Sequence, residues 1–286
     1  FYSPLVSEVT TYSLAGGTDD VVSDANKISA YNLFSNKETI DISLVLTGDA
    51  SVTVQQSVID NIVNTRADCV AFISPPQSAV VNQAGSETSN IQTWLTSLGR
   101  SSSFVVSDSG WKYQFDVYNN TYRWIPLNAD IAGLCVYTDA VTDPWYSPAG
   151  FNRGAIKNAV KLAWNPSKTY RDTLYAAGVN PVVSFPGQGI ILFGDKTLQN
   201  KPSAFDRINV RRLFITLEKA ISKAAQSALF EFNDEFTRAQ FVALVTPFLR
   251  DVQGRRGITD FKVVCDTTNN TAQVIDSNQF VGDIYI

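Results

Sequence analysis

Between Ile40 and Val106 one pattern repeats: a short apolar run, an amphipathic stretch, then another apolar run. Ile40–Thr47 (IDISLVLT) is mostly apolar and closed by Gly48-Asp49, which predicts a strand. Val54, Val58 and Ile62 then recur at helical spacing across Val52–Thr65. Cys69–Ile73 (CVAFI) is apolar at every position and stops at Ser74-Pro75-Pro76. Asn90–Leu98 puts Ile91, Trp94, Leu95 and Leu98 on one helix side, with Gly99 as its stop, and Phe104–Val106 is a third strand. Strands lacking polar alternation are buried on both faces, and helices between them predict a parallel layer covered by helices.

The rest of the chain varies this theme. Phe1–Lys37 is rich in Ser, Thr, Asp and Gly and reads as loop or linker, with a short helix over Ala25–Phe34 capped by Asp24. In Trp111–Ile125, aromatic and polar residues alternate around Asn119-Asn120, which predicts a β-hairpin, expected as an antiparallel edge of the same, then mixed, sheet. The alternative for these aromatics is a binding platform. Leu127–Ala140 reads as a helix capped by Asn128. Prolines and glycines in Thr142–Gly154 place a domain boundary, giving an α/β domain over 1–150 and a second domain over 151–286.

In the second domain Ala155–Ala163 is a short basic amphipathic segment, and Arg171–Ala177 a helix ended by Gly178. Pro181–Phe185 and Gly189–Phe193 are strands around Pro186-Gly187. A long helix runs from Asp206–Asn209 to about Leu229, with Val210, Leu213, Phe214, Leu217 and Ile221 on an apolar side. Arg212, Lys219 and Lys223 return to one face at about 100° per residue, a narrow basic ridge. After an acidic, aromatic stop (Phe230–Asp234), Thr237–Gln253 is a second helix that Pro247 is expected to kink, with Arg250, Arg255 and Arg256 clustered at its end. Phe261–Cys265 and Ala272–Ile275 are expected to pair as a hairpin, before a closing apolar strand, Phe280–Ile286.

Composition removes most catalytic classes. The chain has no His, which excludes Ser-His-Asp and Cys-His nucleophiles and His-containing zinc sites. Its three cysteines sit in apolar runs without CxxC spacing and read as buried thiols. Gly187-Gln188-Gly189 leads into a strand, the reverse of a phosphate-loop context, and there is no GxxxxGK[ST]. Asp139, Asp143, Asp195 and Asp206 lie at loops or helix boundaries and read as caps or turn residues. A net charge of −4 without a basic block argues against direct nucleic-acid binding, and no apolar run suits membrane insertion. No catalytic residue, cofactor site or metal site is assigned. The chain has no Met and ends within strand material, so a longer parent protein is expected.

A set of short motifs, in order, is similar to a known family. INVRRLFITLEKAI (208–221) with FEFND (230–234), AGLCVYTDAVTDPWYSPAG (132–150), LYAAGVN (174–180), GIILFGDKTL (189–198), FLRDVQGRRG (248–257), FKVVCDTTNN (261–270) and GDIYI (282–286) together resemble the tail sheath proteins of contractile-tailed bacteriophages, T4-like ones above all. Each motif alone is weak. The resemblance covers about residues 126–286 and departs at Asp143-Pro144-Trp145, where Gly-x-Trp is common, and at Phe193-Gly194, where Trp-Gly is usual.

The resemblance implies a non-catalytic virion subunit, assembled in the host cytoplasm. Such subunits stack as rings around a tail tube and shorten together to drive it through the host envelope. It implies an outer α/β domain and a C-terminal core domain, a small sheet packed by long amphipathic helices. Implied partners are further copies of itself, the tail tube protein, and baseplate and tail terminator proteins. Arg212, Lys219, Lys223, Arg250, Arg255 and Arg256 are candidates for the tube or inter-subunit interface. Phe280, Val281, Gly282, Asp283, Ile284, Tyr285 and Ile286 are the candidate start of an arm that adds a strand to a neighbour. The rival reading is an α/β nucleotide- or sugar-processing enzyme using Asp residues of the first domain.

Overall fold

The expected parallel layer is present at the centre of the first two hundred residues. The computed structural model describes residues 16–17 and 21–286, so the expected linker over 1–37 lies partly outside the described residues. Helix α1 (Asp24–Asn32) is capped by Ser23, one position before the expected cap, with the Ser23 hydroxyl accepting from the Asn26 N–H. It is followed by β1 (Leu44–Leu46), α2 (Val52–Val58), β2 (Val70–Ile73), α3 (Gln77–Val80), α4 (Glu87–Leu98) and β3 (Val105–Asp108). α2 runs on through a π-helical turn (Ile59–Val63) to Arg66 and stops at Ala67 in the left-handed region. α4 ends as expected at Gly99, also left-handed. Next come β4 (Trp111–Asp116), β5 (Thr121–Pro126), α5 (Asn128–Val141), β6 (Lys161–Leu162), α6 (Lys168–Ala176) and β7 (Val179–Asn180). Strands β1-β2-β3-β7 lie in that order and are all parallel, with Val45 beside Ala71, Phe72 beside Val106 and Ser107 beside Val179.

Burial explains why β2 is apolar throughout. Alternate strand side chains point to opposite faces. Ala71 and Ile73 join Val54, Val58, Ile62, Trp94 and Leu98 on one face. Val70 and Phe72 join Ile131, Leu134 and Cys135 of α5 on the other. Each fully buried side chain such as Phe72 contributes about 1.5–3 kcal/mol. The three cysteines are buried and unpaired, and burial pushes the Cys69 thiol up to about 12 and that of Cys135 to about 11.

The aromatic hairpin forms, but not as an edge of this sheet. β4 pairs with β5 and, on its other side, with β6, making a separate antiparallel sheet of order β5-β4-β6. The side of β3 next to the hairpin in sequence is taken by β7. Gly110, at φ +151, redirects the chain after β3, and the Trp111 indole anchors the new strand by donating to the Pro75 carbonyl at 2.8 Å. The segment 155–163, expected as amphipathic, instead supplies β6 and a bridge from Ala155 to Ile191. β7 follows the expected boundary at 150/151 and still completes the parallel sheet.

The remainder consists of the hairpin β8 (Val182–Phe185) and β9 (Gly189–Leu192), two long helices α7 (Ile208–Ala225) and α8 (Glu235–Gly254), and β10 (Lys262–Val264), α9 (Ala272–Asp276) and β11 (Asp283–Tyr285). α7 packs on two sides. Ile208 and Ile215 join the α5 side of the parallel sheet, whereas Leu213 and Leu217 join Phe241, Val245, Leu249 and Val252 of α8 in a third cluster that includes Trp145. Asp234 caps α8, accepting from the Thr237 N–H at 2.8 Å. Pro247 lies within α8 and leaves the Ala243 carbonyl without its intrahelical donor.

The expected hairpin of 261–265 with 272–275 is not formed. Residues 272–276 are helical, and β10 pairs antiparallel with β11, Val263 opposite Ile284. Buried Asn270 is the cause. Its amide donates to the Val281 carbonyl at 2.8 Å and accepts from the Val281 N–H at 2.9 Å, bringing the chain end back to β10.

Candidate interaction surface

The six basic candidates fall into different environments. Arg212 is buried, bonded to Asp139 and to the Cys135 carbonyl of α5. Lys219 reaches the segment ahead of β1, donating to Asp41 at 2.6 Å and to the Ile42 carbonyl at 2.7 Å. That hydrogen bond and the ammonium charge hold the Asp41 carboxyl below the usual range. Arg211, not singled out by sequence, lies between Phe104 and Phe205, 4.2 and 3.9 Å from the ring centres, and donates to the Ser103 hydroxyl at 2.8 Å. The expected basic ridge is therefore not an exposed strip. Arg212 and Lys219 sit between the two packing faces of α7 and fasten it to the first half. Of the three ridge residues only Lys223 is exposed and outside any ion pair among the described residues.

The cluster at the end of α8 also divides. Arg255 pairs with Asp143 and with Asp251 and lies 5.3 Å over the Trp145 ring, whose indole donates to the Arg255 carbonyl at 3.0 Å. Arg250 and Arg256 are exposed and enter no ion pair among the described residues.

The closing segment Phe280–Ile286 lies against its own chain. Phe280 and Ile284 pack on the third cluster, and a Cβ on Gly282 would come within 2.6 Å of the Phe241 ring. Among the described residues the β10–β11 sheet has two strands, so each retains one edge without a partner strand there.

Nothing in the acidic candidates assembles into a catalytic pair. Asp139 serves Arg212 and Asp143 serves Arg255, while Asp195 and Asp206 both serve Arg207, at 2.9 and 3.3 Å. Asp195 also accepts from Tyr175 at 3.0 Å and Ser147 at 3.1 Å. Gly187 and Gly189 have positive φ in the tight β8–β9 turn, the ordinary use of glycine there. Among the described residues no group of three or more Cys, Asp or Glu is placed to hold a metal, and no helix is long and apolar enough to cross a membrane.

In the sequence alone, the turn between α7 and α8 reads as no more than a stop. Leu229, Phe230, Phe232 and Phe236 are all exposed there. The signal was available: four large apolar residues within LFEFNDEF, at positions no helix face buries.

The chain matches the phage tail sheath protein central domain over residues 37–198 and the phage tail sheath C-terminal domain over residues 200–286. It is 47% identical to the tail sheath protein of Vibrio phage KVP40 over 98% of this chain and 45% of that protein. It is 41% identical to the tail sheath protein of Enterobacteria phage T4 over 96% of this chain and 44% of that protein. The chain thus spans somewhat under half the length of these relatives. Its fold is similar to that of the anti-feeding prophage helical sheath in the contracted state, with TM-score 0.72 and 18% identity over 94% of this chain and 72% of the other. It is likewise similar to the sheath complex of an extracellular contractile injection system in the contracted state, with TM-score 0.75 and 16% identity over 92% of this chain and 76% of the other. Two consecutive domain matches and this identity over nearly every residue make the chain a member of the phage tail sheath family.

Proposed function

We propose that this chain is the C-terminal part of a structural subunit that polymerises around a tail tube and shortens collectively to drive the tube through a host envelope. The observation that carries this reading is the unbroken match to both sheath domains. The work is drawn from re-packing between subunits and not from a nucleotide, in keeping with ion-paired acids and a glycine turn that only joins two strands. The subunit is part of the virion and assembles in the host cytoplasm. Its partners are further copies, the tube protein, and baseplate and terminator proteins. The β10–β11 sheet supports strand addition, since an unpaired strand edge presents free N–H and C=O groups to a neighbouring chain. Phe280–Ile286 leads into the arm that makes this exchange, and the exposed Lys223, Arg250 and Arg256 belong to contact surfaces.

Electron microscopy of the purified full-length protein tests the reading. Hollow tubes of one uniform width are expected. A protein that stays monomeric at every concentration and salt, and also with tube protein present, overturns it.

A further inference from the structure

Helix α8 carries opposite chemistry at its two ends, which its 20 residues hold about 30 Å apart. Leu229, Phe230, Phe232 and Phe236 are exposed at the first end, Phe230 completely. Glu231 and Glu235 stand among them, exposed and in no ion pair among the described residues. Arg250 and Arg256 occupy the other end, also exposed and also without an ion pair among the described residues.

Each end also carries a backbone cost. Phe230 has φ +67 and Arg256 φ +66, a region that L side chains rarely adopt. Arg256 stands at the position after a helix end where glycine is usual, with its N–H donating to the Gln253 carbonyl at 3.0 Å and that of Gly257 to the Val252 carbonyl at 2.8 Å. The aromatics do not hang from a loose loop. The Asn233 amide between them donates to the Gln279 carbonyl at 2.8 Å and to Asn270 at 2.9 Å, and Arg238 donates to Asn233 at 2.7 Å. A strained residue presented to solvent from a pinned turn points to a use outside the chain.

We propose that the two ends meet between copies: the Phe230–Phe232 end of one subunit receives Arg250 and Arg256 of the next. This rests on the sheath reading and names the surfaces that join. The chemistry is complementary, because guanidinium planes stack on phenyl rings while Glu231 and Glu235 supply carboxylates to the same arginines. Aromatic and Arg side chains are also the types that concentrate binding energy at interfaces. The two patches differ, so the contact is head-to-tail, the kind that propagates into rings or helical polymers.

The test uses the full-length protein, with polymer measured by sedimentation and microscopy and stability by denaturation midpoint. Phe230→Gly and Arg256→Gly each relieve the backbone, so each is expected to raise the midpoint while raising the concentration needed for polymer about tenfold or more. Glu231→Arg and Arg256→Glu are each expected to block polymer, and the double exchange to restore it. Glycine variants that polymerise like the parent overturn the proposal, as does a double exchange that recovers nothing. Variants that polymerise normally but no longer bind tube protein assign these arginines to the tube and overturn it too. A parent protein that forms no hollow polymer defeats the sheath reading itself, so the two failures are distinguishable.

Discussion

Asp108 ends β3 fully enclosed, where its carboxylate accepts the Ser74 hydroxyl at 2.6 Å and the Gly110 N–H at 2.8 Å. Burial pushes its pKa up to about 8 against the pull of both bonds, and the charge of Asp130 acts in the same direction. The unfolded value is about 3.9. The folded chain therefore keeps a proton that the unfolded chain releases, and this contribution to stability, complete below about pH 4, is lost as pH rises through about 8. Asp108→Asn is expected to flatten the fall in urea midpoint between pH 5 and 8, because a neutral amide carries no such proton. An unchanged slope would assign the dependence to other groups. At Arg256, replacement by Gly is expected to stabilise the fold by about 1 kcal/mol, read as a higher melting temperature, since it removes the left-handed penalty on an L side chain. Neither residue declares itself in sequence. SDSG reads as an ordinary strand end, and an arginine after a helix reads as a favourable charge.

At the scale of elements, the β10–β11 sheet depends on one close approach. Gly282→Ala would drive a methyl group into the Phe241 ring, itself held by the third cluster. Overpacking of this kind costs about 1–3 kcal/mol. The expected result is a lower unfolding midpoint, with faster hydrogen exchange at residues 262–264 and 283–285 than elsewhere; uniform exchange across the chain would contradict it. The sequence made β2 and α4 legible because their burial is written into every position of a local pattern. It did not make the partner of β10 legible, because Asn270 selects it by bonding backbone eleven residues away. Nor did it reveal where the aromatic hairpin goes, since alternation predicts a strand and not which edge remains free. The helical wheel of α7 placed Arg212 and Lys219 on one face correctly. It could not show that this face lies between two covered ones, one on the parallel sheet and one on α8.

For the whole molecule, α7 is the joint. Its apolar residues enter two clusters, and Arg212 and Lys219 tie it to Asp139 of α5 and to Asp41 ahead of β1. Arg212→Ala removes charge-assisted hydrogen bonds from a buried position, an expected loss of about 2 kcal/mol in a denaturation curve. A loss within error would mean that solvent replaces the pair. Held in this way, the final eighty-odd residues expose an aromatic end and an arginine end of α8 and carry a two-stranded sheet. Over residues 126–286 membership of the family was legible as an ordered set of motifs; over 37–125, which also match the sheath central domain, it was not. Which residues face outward was not legible either, because exposure depends on both sides of α7 being covered. The central claim, that these features join subunits into a sheath, is tested most directly by helical reconstruction of the polymer formed by the full-length protein. A strand from another subunit is expected against the β10–β11 sheet in every repeat. A reconstruction in which that sheet keeps only its own two strands and touches no neighbour would contradict it.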